Sequence, residues 1–169
     1  GGGDTTFIVT DTSQVVSETN VGVVDTIQSS VSYVLPANVQ NLTLYGQADL
    51  VATGNDLANV LTANNGNDTL IAGSGAATMV GGTGYGTFVV NNAADVVQAQ
   101  ANAASNIVQS SVSYVVPENV QTLILTGSSD LIGTGNDQAN TIQANNGNDT
   151  LIAGTGIVTL VGGMGNDTF

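Results

Sequence analysis

Ala63-Asn-Asn-Gly-Asn-Asp-Thr-Leu-Ile-Ala-Gly73 recurs unchanged as Ala144 to Gly154, at an offset of 144 − 63 = 81. The same offset carries Ile27-Gln-Ser-Ser-Val-Ser-Tyr-Val-Leu-Pro-Ala-Asn-Val-Gln40 onto Val108-Gln-Ser-Ser-Val-Ser-Tyr-Val-Val-Pro-Glu-Asn-Val-Gln121. No gap is needed to align the copies. Gly163 to Phe169 in turn matches Gly1 to Phe7. The chain therefore divides into copy one at 1–81, copy two at 82–162 and the start of a third at 163–169, all in one continuous unit. Repeat arrays end in atypical capping units, and none is visible, so the sequence reads as a window cut from a longer periodic protein.

A shorter period runs inside the long one. Leu61, Leu70, Met79 and Phe88 are nine apart, as are Gly66, Gly75 and Gly84. Copy two repeats these columns as Ile142, Leu151, Leu160, Phe169 and as Gly147, Gly156, Gly165. An amphipathic helix needs apolar residues three and four apart. A short strand followed by a Gly-Asn turn fits each nine-residue unit instead. Two such units form one coil of a parallel β-solenoid, with apolar side chains stacked inward. Pro36 and Pro117 precede further strands, and proline suits such corners because it cannot donate to a ladder. The less similar stretches 10–26 and 91–107 are expected to continue as strands and looser loops.

Composition narrows the chemistry. The 169 residues hold 13 acids and no Lys, Arg, His or Cys, for a formal charge of −13. Phosphate contacts to nucleic acid depend on Lys and Arg, so nucleic acid is excluded as a natural partner. An ordinary general base near neutral pH, a thiolate nucleophile and a zinc site are absent as well. No carboxylate can find an intrachain salt bridge. The acids must be solvated, hydrogen-bonded or neutralised by a metal, and calcium is the hard cation that suits an all-oxygen ligand set. No apolar run approaches the roughly 20 residues of a transmembrane helix.

The nine-residue pattern resembles the RTX (repeats-in-toxin), or haemolysin-type calcium-binding, nonapeptide Gly-Gly-x-Gly-x-Asp-x-apolar-x. Gly162-Gly-Met-Gly-Asn-Asp-Thr-Phe169 matches every defined position. Asn65 to Leu70 and Asn146 to Leu151 match its second half, and Thr53-Gly-Asn-Asp56 and Thr134-Gly-Asn-Asp137 are similar to its turn. The resemblance implies an all-β, right-handed parallel β-solenoid (a β-roll or β-helix). It implies calcium held between turns one coil apart, by Asp carboxylates and turn carbonyls, with Gly supplying φ > 0 conformations. Asp149 and Asp167 are two nonapeptides apart and form the best pair, with Gly147, Asn148, Gly165 and Asn166 in their turns. Asp68 would pair with Gly86 and so keeps half a site. Asp56 and Asp137 are further candidate ligands. Asp49 and Asp130 read instead as solvated or capping residues, the Asn64, Asn67, Asn145 and Asn148 columns as turn ladders, and Tyr33 and Tyr114 as strand packing.

Three functions fit this reading. The first is a structural segment of a long secreted repeat protein, associated with itself or with a cell surface or matrix as a fibre, surface layer or adhesin stalk. The resemblance also implies an extracellular location and type I secretion. The second is an accessory calcium-binding domain of a secreted enzyme or toxin. The third is an ice- or surface-binding solenoid. The chain itself carries no catalytic inventory. Since identical segments should face the same side, the period of 81 should make a whole number of coils, about four of near 20 each. The step of 12 from Gly54 to Gly66 would supply the extra length, and Asp68 and Asp149 would lie on one side.

Overall fold

The computed structural model describes residues 3–101 and 105–169. Residues 1, 2 and 102–104 lie outside it, and with them part of the loop expected within 91–107. Inside the described residues the chain is all-β. It forms β1 (Thr6–Val9), β2 (Thr26–Ser29), β3 (Tyr33–Val34), β4 (Asn41–Leu44), β5 (Val51–Thr53) and β6 (Asn59–Thr62). There follow β7 (Asp68–Ile71), β8 (Ala77–Val80), β9 (Gly86–Val90), β10 (Val96–Gln98), β11 (Ile107–Ser110) and β12 (Tyr114–Val115). The last are β13 (Thr122–Leu125), β14 (Ile132–Thr134), β15 (Asn140–Gln143), β16 (Thr150–Ile152) and β17 (Val158–Val161).

Successive strands do not pair with each other, apart from β1 with β2. They pair in parallel with the strand two places on, as expected when each turn of chain lays one strand on each wall. One wall runs β1-β2-β4-β6-β8-β10, and the other β3-β5-β7-β9-β11-β13-β15-β17. A third sheet, β12-β14-β16, carries on from the first wall. The Tyr114 hydroxyl crosses that break, donating to the Asp95 carbonyl at 3.2 Å. The result is a parallel β-solenoid of about eight turns.

The nine-residue apolar column alternates between walls, as its spacing predicts. Leu61 stacks on Met79 in one wall, and Leu70 on Phe88 in the other. All four side chains are buried. Ile27, Leu42, Val108, Leu123 and Ile142 extend the two ladders, each fully buried. Outward positions between them carry Thr and β-branched residues such as Thr69, Thr87 and Val60, which favour a pleated, half-buried surface. In the nonapeptide run each coil advances the numbering by 18, as the pairs Asn59↔Ala77 (77 − 59) and Asp68↔Gly86 (86 − 68) show.

The expected whole number of coils is overturned. The repeated segment lies in β2 in copy one and in β11 in copy two, nine strands later and on the opposite wall. Nine half-turns make four and a half coils. Asp68 accordingly starts a strand of the second wall, whereas Asp149 precedes β16 on the first-wall side. The physical reason is a short coil that advances the numbering by only 15, at Thr26↔Asn41 (41 − 26) and Ile107↔Thr122 (122 − 107). It compensates advances of 19 and 20 elsewhere, at Asn41↔Val60 and Thr87↔Ile107, so the average stays at nine per half-turn. Identical sequence can sit on either wall because both walls present the same inward-apolar, outward-polar alternation. Of the two dissimilar stretches, 91–107 contributes β10, while Thr10 to Asp25 forms no strand.

Candidate metal centre

The site residues sit where one wall hands the chain to the other. One sequence position in every nine governs these corners: Asn59, Asp68, Ala77, Gly86 and Asp95 in the first nonapeptide run, and Asn140, Asp149, Val158 and Asp167 in the second. Each Asp of the column takes two sets of backbone donors. Asp68 Oδ1 accepts the Leu50 N–H at 2.9 Å from the coil below, and Oδ2 accepts the Asn64 N–H at 2.7 Å from its own turn. Asp149 repeats this with Leu131 at 2.8 Å and Asn145 at 2.6 Å. Asp95 does so with Ala77 at 2.8 Å on one oxygen and with Asn91 and Asn92 on the other. The carboxylate thus closes its own turn and ties it to the coil beneath, satisfying N–H groups that would otherwise be buried without a partner.

Asp149 and Asp167 are brought together. Thr150 bridges Thr168 one coil above, and Asp167 Oδ1 accepts the Asp149 N–H at 3.0 Å. Its Oδ2 accepts the Gly163 N–H at 2.7 Å. Asp68 lies under Gly86 in register, so no second carboxylate stands over it. Burial pushes the Asp68 carboxyl above its ordinary value; the N–H groups of Leu50 and Asn64 oppose that rise and nearby Asp49 adds to it.

Asp56 and Asp137 stand off the column. Both are exposed, and the residue that closes their turn is the Asn three places later. Asn59 Oδ1 accepts the Asn55 N–H at 2.7 Å, and Asn140 Oδ1 that of Asn136 at 2.9 Å. The 12-residue step from Gly54 to Gly66 is therefore a misreading of a regular nine. Asp95, missed from the sequence, is a full member of the column, three nonapeptides after Asp68 (95 − 68 = 3 × 9).

Beside the buried column runs an exposed one. Asp49 Oδ1 accepts the Asn67 N–H at 2.7 Å, and Asn67 Oδ1 accepts that of Tyr85 at 3.0 Å. Asp130, Asn148 and Asn166 repeat the ladder at 2.8 and 2.9 Å. The capping and ladder expectations for these residues agree with this geometry.

The glycine columns have a different cause from the one expected. Among the described glycines only Gly22, Gly46 and Gly127 have φ in the left-handed region, and none belongs to the nonapeptides. The nonapeptide glycines allow close approach. A Cβ on Gly66 would overlap the Ala48 carbonyl of the coil below, and one on Gly165 the Gly147 carbonyl. These carbonyls lie along the same corner as the column carboxylates. The donor set is all oxygen, with no nitrogen or sulfur ligand, which suits a hard divalent cation. Among the described residues no three acids converge, so any such site has a low ligand charge.

An RTX calcium-binding nonapeptide repeat model matches in four copies, over residues 53–88 and 143–169. No curated protein and no solved structure matches the chain. The matched blocks are the two runs of nine-residue corners described above, and RTX nonapeptides are calcium-binding motifs. Residues 53–88 and 143–169 are thus RTX calcium-binding nonapeptide repeats, carried on the parallel β-solenoid.

Proposed function

We propose that the chain is a non-catalytic spacer within a secreted protein, a calcium-stiffened segment of an extracellular fibre, surface layer, matrix or adhesin stalk. The observation that carries this is where the charge lies. Of the 13 acids only Asp68 falls within a strand, and its side chain is buried. The outer faces of both walls are therefore uncharged, and the coils stack for about eight turns, roughly 40 Å at about 4.8 Å per coil. No Lys, Arg, His or Cys is present to stabilise developing charge or act as nucleophile. RTX repeats typically belong to secreted proteins.

Calcium in this proposal is held at the Asp149/Asp167 corner, with carbonyls of the Gly147–Asn148 and Gly165–Asn166 turns as further donors. Asp68 offers a half-site. Asp56 and Asp137 fall outside the assignment. Bound calcium supplies the positive charge that the sequence lacks. Asp149 and Asp167 contribute by belonging to adjacent coils, so neutralising both ties one coil to the next. A low ligand charge places the site among weak extracellular ones, with Kd on the order of 10⁻⁴–10⁻³ M. Millimolar calcium then adds about 0.4–1.4 kcal/mol per site through mass action.

The test follows thermal melting by circular dichroism in excess chelator and in about 1–10 mM calcium, a range that brackets the weak-site Kd. The expected result is a rise of a few degrees in calcium, about 2–4 °C for each kcal/mol in a chain of this size. Identical melting in both solutions sinks the calcium part. An antibody against the chain should label the outside of intact source cells, and purely internal labelling sinks the extracellular part.

A further inference from the structure

Asp25 belongs to neither matched block of nonapeptides, yet it is fully buried, at 0 % exposure. Its Oδ2 is the one buried side-chain oxygen or nitrogen among the described residues with no hydrogen-bond partner. The rest of the residue is firmly held. Oδ1 accepts the Thr5 N–H at 2.6 Å, and Gln40 Oε1 accepts the Asp25 N–H at 2.8 Å. The Asp25 carbonyl accepts the N–H groups of Gln40 and Asn41.

The second copy shows what belongs in the gap. Its equivalent residue is Asn106 (106 − 25 = 81), buried to 1 % exposure. The frame is the same: Oδ1 accepts the Gly86 N–H at 2.9 Å, and Gln121 Oε1 accepts the Asn106 N–H at 2.7 Å. There the other limb, Nδ2, donates to the Asn119 carbonyl at 2.8 Å. Asn38 is the matching residue in copy one, and the two share a left-handed backbone, with φ of 67° and 64°. The Asn38 carbonyl takes Gln40 Nε2 at 3.0 Å, which leaves its second lone pair for the Asp25 side. Asp25 thus presents an oxygen where Asn106 presents an amide proton. Carried over from copy two, this correspondence sets an acceptor against an acceptor in a dry corner, where a buried polar group without a partner is costly.

No cationic side chain of the protein can relieve this. The nearby titratable groups are Asp4, whose Oδ1 accepts the Val24 N–H at 3.1 Å, and Glu18, whose carbonyl accepts from Asn38 Nδ2 at 2.9 Å. Both are acids, and the sequence has no Lys, Arg or His. We propose that Asp25 Oδ2 and the Asn38 carbonyl form a cation-binding pair that a positive charge from solution closes. That charge is a proton or a calcium ion, two sources of the same chemistry. The pair does not depend on calcium at the nonapeptide corners.

Asp25→Asn tests this by installing the residue that copy two already uses. Melting temperatures of wild type and variant are compared at pH 8 in chelator, at pH 8 in millimolar calcium, and at pH 4.5 in chelator. In chelator at pH 8 the variant should melt higher, by roughly 3–10 °C. A gap that closes with calcium identifies a metal ion, and one that closes only on acidification identifies a proton. Comparing the two proteins cancels the response of the other acids. The reciprocal Asn106→Asp should melt lower than wild type in chelator at pH 8 and recover with the same cation. The proposal is overturned if Asp25→Asn melts with or below wild type in chelator at pH 8, or if its advantage is the same in all three solutions.

Discussion

The nonapeptide corners and the proline corners turn the same chain between the same walls by opposite means. From Val51 to Val90 every coil advances the numbering by 18, as 69 − 51 and 86 − 68 show, and glycines let adjacent coils approach while the column side chains Asn59 and Asp68 cap their turns. Between Ser29 and Leu44 the advance shrinks to 44 − 29 = 15. Here the bend is local. Ser29 Oγ donates to the Val31 carbonyl at 2.6 Å, Pro36 fixes φ, and Asn38 adopts a left-handed backbone that Asn tolerates. The two corner types are then stitched together, as Asn55 Nδ2 donates to the Pro36 carbonyl at 2.7 Å and to that of Val39 at 2.9 Å. A nonapeptide corner depends on the coil above and below it, whereas a proline corner is largely shaped by its own residues. The first kind should therefore transmit damage along the axis.

The sharpest break in that contrast is Gly66→Ala. Its Cβ would overlap a backbone carbonyl of the lower coil, which cannot move without moving that coil. The expected loss is about 4–5 kcal/mol, at the extreme of single substitutions. Gly46→Ala, beside which a Cβ would meet nothing, carries only the cost of its left-handed φ of 104°, about 1–2 kcal/mol. Urea midpoints for the two variants decide the matter, and equal losses would remove the distinction between stacked and local turns.

Asp149→Ala comes next. It strands the N–H groups of Leu131 and Asn145, one in each of two coils, at about 2–4 kcal/mol together. It should also abolish the calcium-dependent rise in melting temperature if that rise comes from the Asp149/Asp167 corner. Retention of the full rise in a folded Asp149→Ala protein would move the calcium elsewhere.

What was legible in the sequence follows the same division. Stacked corners impose a strict period, because a glycine or cap displaced by one residue would meet the wrong atom of the coil below. Leu61, Leu70, Met79 and Phe88 could therefore be placed on alternating walls from spacing, and Asp167 over Asp149 from spacing together with the nonapeptide resemblance. The proline corner obeys no such count. Its short coil is invisible to periodicity, and the premise that identical segments must face the same side led to whole coils and to Asp68 and Asp149 on one side. The φ > 0 expectation failed because glycine answers two needs, and a sequence does not say whether it is chosen for its torsion or for the space above its Cα. Asp25 had no motif to announce it; it ends a stretch that differs between the copies, and the only signal was its mismatch with Asn106 just before the close match at Ile27 and Val108.

A smaller effect tests the burial of the column by pH. Asp68 is held above its ordinary value chiefly by burial, so the folded protein keeps that proton more tightly than the unfolded chain. Its contribution is then fully present below the unfolded value near 3.8 and is lost as pH rises through the folded one. In chelator, wild type should lose stability relative to Asp68→Asn as pH rises from about 4 to 7. The opposite slope would mean that the N–H groups of Leu50 and Asn64 outweigh burial.

The smallest expected effect is the most discriminating for register. Asp56 completes a Gly-Asn-Asp triplet that looks like the motif, whereas Asn59 occupies the structural column. Asp56 is exposed, so Asp56→Ala should change stability by no more than about 0.5 kcal/mol. Asn59 is 3 % exposed; it accepts the Asn55 N–H and donates to the carbonyl of Gln40 at 3.2 Å in the coil below. Asn59→Ala should therefore cost about 1–3 kcal/mol, because it leaves a turn donor and an inter-coil acceptor unpaired. Equal and small losses would mean that the Asn59 corner is held by backbone alone. A larger loss at Asp56 than at Asn59 would shift the column by three positions and restore the 12-residue step. Only the ordering Asn59 above Asp56 is compatible with a regular count of nine per half-turn through this corner.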